Sequence, residues 1–246
     1  MDTATLIAIC VLLGLGALLY TSVGHAGASA YIAIMALFGL APETIKPAAL
    51  VLNIMVASFT SWRFIRAGQF DLRRLVPFSI GALPFAFLGG SISLPGVAYR
   101  PLVGAVLLLA GLRLLWPRPM MRQEEIIMPP APAALASGAG IGLLSGLTGT
   151  GGGIFLSPLM IMMGWAETRK ASGIAAVFIL LNSIAGLAGN LSSVGHLPAQ
   201  LPYFMGSVAI GAVAGTALGV SVLPTHRLIQ ALGAVLLVAA AKLILT

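Results

Sequence analysis

The densest set of groups able to meet a small anion is Thr148-Gly149-Thr150-Gly151-Gly152-Gly153. It lies within the string GLLSGLTGTGGGIFLSPLMIMMGW, Gly142 to Trp165. Glycines permit a tight break and leave backbone N–H groups uncovered. A helix starting near Gly152 would aim its first amides, which carry partial positive charge, into that break. Ser145, Thr148 and Thr150 add hydroxyls. Such an arrangement holds an anion inside a membrane without burying a cation. The competing use of these glycines is close helix packing.

A second break, Gly24-His25-Ala26-Gly27, occupies the matching place earlier in the chain, with Ser29 just beyond it. The imidazole of His25 can donate to an anion or carry a proton. Its alternative is a neutral ring bonded to a nearby carbonyl. His196 and His226 fall in turns, where solvation accounts for them. Asn53 and Asn182 each interrupt a long apolar stretch, with Ser183 and Ser58 as weaker companions. A lone amide in hydrocarbon needs partners, so both asparagines should face the bundle interior, lining a path or bonding another helix. Asn182 is expected to matter more than Asn53, because its half carries the full glycine run. Lys46 and Lys170 stand at the starts of these two stretches, where snorkelling to the interface is the expected role.

No catalytic constellation emerges. No carboxylate lies within an apolar run, which counts against a proton relay built on Asp or Glu. Ser145 has no evident histidine partner, so an enzyme is not expected. Cys10 is the only cysteine and has no metal-ligand spacing around it, so it reads as a small buried hydrophobe. No metal or cofactor is anticipated.

The elements that must position these residues are membrane helices. Hydrophobic residues form 59% of 246 positions and charged residues 8%, against roughly 25% charged in a soluble domain. The mean hydropathy is +1.06. Such a chain cannot cover a water-exposed sphere, so lipid must surround most of it. The net charge of +7 sits in short turns without interleaved aromatics, which argues against nucleic acid and for anionic headgroups. The N-terminus has Asp2 and no basic stretch before its first apolar run, and reads as a retained membrane segment. Apolar runs fall at about 4–22, 26–39, 45–64, 74–93, 97–115, 132–147, 151–164, 170–190, 201–222 and 228–245. All charged residues lie at or beyond their edges.

The two halves repeat one another. VPFSIGALPFAFLGGS from Val76 resembles LPYFMGSVAIGAVAGT from Leu201, and GAVLLLAGLRLL from Gly104 resembles GAVLLVAAAKLI from Gly233. PETIK at Pro42 answers AETRK at Ala166, and Gly24 answers Gly149. Four matches in the same order are a strong repeat signal. This gives a first transmembrane repeat over 1–116, a cytoplasmic linker over 117–131 and a second repeat over 132–246. Loop 63–74 carries Arg63, Arg66, Arg73 and Arg74, while its counterpart around 191–200 has no Lys or Arg. Placing the basic loops in the cytoplasm leaves Lys46, Arg100 and Lys242 outside. Equivalent loops then lie on opposite sides, and both termini lie outside. The expected fold is therefore all-α, with two inverted repeats of about five segments each. The runs at 26–39 and 151–164 are short for a bilayer, so two arrangements stay open for the first two segments of each half: spanning fully, or re-entrant as a hairpin meeting near mid-membrane around a Gly-rich break.

The repeat, the Thr148–Gly153 break followed by FLSPLMIMMGW, and ETRKASGIAAVFILLNSIAG from Glu167 resemble the sulfite exporter (TauE/SafE) family of membrane permeases. The resemblance covers nearly the whole chain and is most specific at 142–186. In the first half, Gly24-His25-Ala26-Gly27-Ala28 stands where a fuller glycine run is usual. The resemblance implies a multi-pass protein of the bacterial or archaeal inner membrane whose substrate is a small sulfur-containing anion such as sulfite or an organosulfonate. It also implies that the two breaks and the polar residues of the following helices form the pathway. Export by alternating access is the expected function. An anion channel and a non-transporting scaffold are the alternatives, and a homo-dimer is the oligomer left open.

Overall fold

The computed structural model describes residues 2–22, 24–115, 126–191, 195, 197–221 and 226–245. The described residues form ten helices: α1 Thr3–Ser22, α2 Ala28–Leu37, α3 Pro42–Arg66, α4 Leu72–Ser91, α5 Gly96–Leu115, α6 Ala131–Thr148, α7 Gly153–Met162, α8 Thr168–Gly189, α9 Leu201–Ser221 and α10 His226–Leu245. Each apolar run becomes one helix, with ends shifted by at most a few residues. No strand occurs among the described residues.

Local chemistry sets the ends. Asp71 caps α4 by accepting from the Arg74 backbone N–H at 3.2 Å, and its carboxylate also pairs with the Arg74 guanidinium. Partial burial pushes the Asp71 carboxyl up, but the Arg74 amide and guanidinium outweigh it, so its pKa lies below the usual carboxylate value. After α2, α3 and α7 the chain turns off through Gly39, Gly68 and Gly164, all at positive φ. Each turn is closed by a six-to-one bond, as from Trp165 N–H to the Met160 carbonyl at 2.8 Å.

Counting only the described residues, five helices (α1, α3, α4, α6 and α8) are long and apolar enough to cross a membrane. Large apolar side chains such as Leu15, Ile80, Leu88, Leu109, Ile184, Ile210 and Val238 remain exposed on the bundle surface. Water would not tolerate so broad an apolar surface, whereas lipid is its natural neighbour. By contrast α2 and α7 have ten residues each, about 15 Å of helix. Each half therefore pairs a full-length helix with a half-length one. Of the arrangements open for the first two segments of each half, α1 and α6 have the length to cross, and α2 and α7 are half-helices entered through an irregular stretch.

Glycine brings the helices together. Phe78, Ala82 and Ala86 of α4 present their carbonyls directly to Gly138, Gly142 and Gly146 of α6, so these two helices run parallel at close range. On the other side α1 and α9 do the same, with the Gly14 and Leu18 carbonyls against Gly211 and Gly215. The central pair runs antiparallel: Asn53 of α3 meets Ser183 of α8, and one end of that pair is marked by Phe64 beside Gly173. The core is split accordingly. Ile32, Leu52, Val103, Phe204 and their neighbours pack on one side of this pair, and Phe78, Ile141, Leu156 and Phe178 on the other.

Candidate substrate site and its two vestibules

The second break is an irregular stretch that descends along α3. Gly149 lies against the Lys46 backbone, and Gly151 lies against the Asn53 amide. Seven residues of α3 separate those contacts, or about 10 Å of rise. Gly149, Gly151 and Gly152 have φ of 84°, 76° and 79°, a region that costs other residues roughly 1–2 kcal/mol each. That succession carries the chain into the membrane interior before α7 begins. The α7 N-cap is Gly152, and no side chain caps it. The first amides of α7 thus start a buried half-helix without a side-chain acceptor.

Several sequence-predicted residues converge here. A Cβ added to Gly151 would collide with Asn53 Nδ2 and stand 3.2 Å from Ser183 Oγ. Asn53 Nδ2 donates to Ser183 Oγ at 3.3 Å, and both residues are fully buried. Asn182 is equally buried, but its Nδ2 donates to the Phe178 carbonyl of its own helix at 3.1 Å. The carbonyl oxygens of both asparagine side chains, and Ser145 Oγ, have no protein partner. Thr148 and Thr150 place their hydroxyls 3.0 Å apart, and Thr148 Oγ1 also donates to the Leu144 carbonyl at 2.6 Å. Gly152 packs on Ile141 and Phe178, and Gly153 on Ile179.

The first-half residues form a separate group. Gly24, at φ 83°, packs against Phe64 and Ser172. Ser29 Oγ is hydrogen-bonded to Tyr20 OH, and Tyr31 OH donates to the Ala26 carbonyl. His25 is half-buried with its ring edge-on to Tyr20 at 6.5 Å between centroids. Neither Gly24, His25 nor Ser29 joins the Asn53–Ser183 contact.

Tyrosines are the part that sequence reasoning missed. Tyr31 ties down the first break, and Tyr99 donates to the Thr148 carbonyl at 3.1 Å to tie down the second. Both are buried, and neither has a spacing that announces the role. Lys46 also departs from its expected snorkelling. It is buried and donates to the carbonyls of Gly89, Gly90 and Ile92 at 3.2, 2.9 and 3.2 Å, closing the C-terminal end of α4. Lys242 does the same for α2 through the Ala36 and Leu37 carbonyls. These contacts satisfy orphan carbonyls and complement the negative helix end. Lys170 is exposed, as an interfacial lysine would be.

Two cavities flank the central layer. One, of about 340 Å³, is lined by Arg63, Phe64, Gln69, Thr21, Arg169 and Ser172. The other, of about 230 Å³, is lined by Glu43, Lys46, Tyr99, Leu147 and Asn190. Lys46 and Arg63 stand seventeen residues apart on α3, about 25 Å. The cavities therefore open at opposite ends of the α3–α8 pair, with Asn53, Ser183 and Gly151 between them.

An apolar helical bundle with two half-helices, buried amides at its centre and a cavity at each end is a multi-pass membrane transporter. The family described as Sulfite exporter TauE/SafE matches residues 7–243, and the chain belongs to it. A curated relative, the "Probable membrane transporter protein y4hK" of Sinorhizobium fredii (strain NBRC 101917 / NGR234), is 39% identical over 233 residues, covering 93% of this chain and 94% of the relative. No solved structure matches.

Proposed function

We propose that the protein exports a small sulfur-containing anion, such as sulfite or an organosulfonate, across the bacterial or archaeal inner membrane. The observation that carries this reading is the pair of cavities separated by the Asn53–Ser183–Gly151 layer. Alternating access requires a central site with closable approaches from both sides, and this arrangement supplies the parts. The α7 amides and the buried amides and hydroxyls around Gly151 are neutral donors. They can replace an anion's hydration shell without the cost of burying a cation. Asn53, Ser183, Asn182, Thr148, Thr150 and Gly149 to Gly153 form the central site in this reading. Gly24, His25 and Ser29 shape the approach from the Arg63 end.

The same reading takes the two halves as inverted repeats. Its support is that α3 and α8 run antiparallel, and that α1 and α6 end beside opposite cavities. The Arg63–Arg169 cavity faces the cytoplasm, because the basic loops cluster at its end. Uptake by liposomes containing purified protein tests the whole proposal, using sulfite, sulfate, thiosulfate, sulfoacetate and an organic cation. A carrier saturates and shows counterflow, with sulfite or sulfoacetate preferred over the cation. Equal movement of the cation would remove anion selectivity, and steady current without counterflow would make the protein a channel.

A further inference from the structure

The described core residues fall into two clusters with no member in common. The first is drawn from α1, α2, α3, α5, α9 and α10, with Ala26 and Ile179 added. The second is drawn from α4, α6, α7, α8 and the turn before α8. Close-packed interiors move as units, so these clusters define two bodies. Side-chain hydrogen bonds cross between them at two levels. At mid-depth, Asn53 of α3 donates to Ser183 of α8 at 3.3 Å. The Lys46 end is tied more heavily. There Lys46 Nζ of α3 donates to the Gly89, Gly90 and Ile92 carbonyls at the end of α4 at 3.2, 2.9 and 3.2 Å. Beside it, Tyr99 OH of α5 donates to the Thr148 carbonyl of α6 at 3.1 Å.

The two ends of the molecule differ in this respect. PETIK places Lys46 where AETRK places Lys170, yet Lys46 is buried and the whole of 167–170 is exposed. An ammonium that meets three carbonyls has used all its donors. Lys46 also borders the cavity that Glu43 helps to line. Water can therefore replace the carbonyls as they withdraw, and Glu43, three residues earlier on the same helix, can accept the released ammonium. Such a tie costs far less to break than one sealed from water. We propose that Lys46 and Tyr99 latch the two bodies together at this end. Their release opens this vestibule toward the central layer while the Arg63 end closes. Both are positioning residues, acting through α4 and the second break without touching the solute. The inference rests on the alternating-access reading, in which one approach shuts as the other opens.

Leu50 can report on the latch. It lies one turn deeper than Lys46 on α3, is fully buried, and faces Gly186 of α8. Ser172 reports on the Arg63 end, whose cavity it lines. Leu50→Cys and Ser172→Cys are made separately in Cys10→Ala protein, which holds no other cysteine. The readout is the rate of labelling by a trimethylammonium-bearing methanethiosulfonate in detergent. Lys46→Met removes all three donors and should speed labelling at Leu50→Cys about tenfold or more. Tyr99→Phe removes one neutral hydrogen bond and should speed it about two- to tenfold. Neither should speed labelling at Ser172→Cys. Combining the two should slow labelling at Ser172→Cys, a change that local fraying around Lys46 would not produce. Lys170→Met, at the opposite end, should not speed labelling at Leu50→Cys. Thermal melts establish folding, and if Lys46→Met does not fold, Tyr99→Phe decides the matter alone. Folded variants that label like wild type overturn the latch. Faster labelling at both cysteines, an equal rise in Lys170→Met, or an unchanged Ser172→Cys rate in the folded double variant also overturns it. Saturable flux without any labelling shift would leave the transport reading standing and remove the latch. Opposite shifts at the two ends without flux in liposomes would sink the transport reading and keep the latch.

Discussion

Asn53 and Ser183 come from different halves of the chain, yet they meet beside Gly151. The geometry argues for an order opposite to the expected one: Asn182 donates within its own helix, while Asn53 donates across to Ser183 and lies against the break at Gly151. Asn53→Leu should weaken oxyanion affinity about tenfold or more, the worth of a lost hydrogen bond to a charged group. Asn182→Leu should have the smaller effect, and binding to purified, folded protein compares them. Equal losses would put Asn182 back beside Asn53. A second residue-scale prediction concerns Asp71. Its folded pKa is lowered, so the stability it adds is present above the unfolded value near 4 and fades as pH falls through the folded pKa. Asp71→Ala should cost about 1 kcal/mol at neutral pH through the lost cap. Melts of both proteins should converge in acid, and a gap that does not shrink would show that the carboxylate is not the source.

Among elements, the α4–α6 contact is the tightest test of packing. Gly146 receives the Ala86 carbonyl where a Cβ would stand, and rigid backbone cannot move aside as a side chain tip can. Gly146→Ala should therefore destabilise by about 1–3 kcal/mol, as overpacking does. Gly140→Ala, on the same helix with open space beside it, should be neutral or slightly stabilising because Ala is the better helix former. Detergent melts separate the two. Similar behaviour would mean that α6 does not approach α4 closely in solution. The half-helices make a different demand. Gly152→Val places a β-branched side chain at φ 79° against Ile141 and Phe178, so it strains the fold as well as covering the α7 amides. Flux lost in step with folded protein would assign Gly152 to packing. Flux lost beyond it supports an anion at those amides.

For the whole molecule, the unequal basic loops make a prediction about orientation. Arg63 and Arg66 in the last turn of α3 cluster with Arg73 and Arg74 in the first turn of α4, whereas residues 191–200 carry no Lys or Arg. Reporters fused within 66–72 and near Gln123 should be cytoplasmic, and reporters at either terminus should be outside. A cytoplasmic C-terminus would be incompatible with the inverted reading. The linker at 117–131 lies largely outside the described residues, although Ile127 N–H reaches the Gly164 carbonyl at 3.0 Å, joining its end to the turn after α7.

The sequence alone determined the ten helices, because burial in lipid forces each backbone to satisfy itself within one continuous apolar run. It also marked Gly24, Gly149, Gly151 and Gly152, since a chain that must break at positive φ has few residues besides glycine to use. The buried positions of Asn53 and Asn182 were legible for a related reason: an amide cannot face hydrocarbon. Which amide met which break was not. Hydropathy is nearly uniform along these helices, so it carries little information about the register between α3 and α8. That register arises from backbone approach at glycine and from single contacts such as Asn53 to Ser183. The same holds for Lys46. Its place at a helix start suggested an outward-reaching ammonium, but only the packing of α4 beside it supplied the three carbonyls that hold it in. Arg63 and Arg169, over a hundred residues apart, became one cavity wall only when α3 and α8 packed antiparallel and brought the end of one to the start of the other.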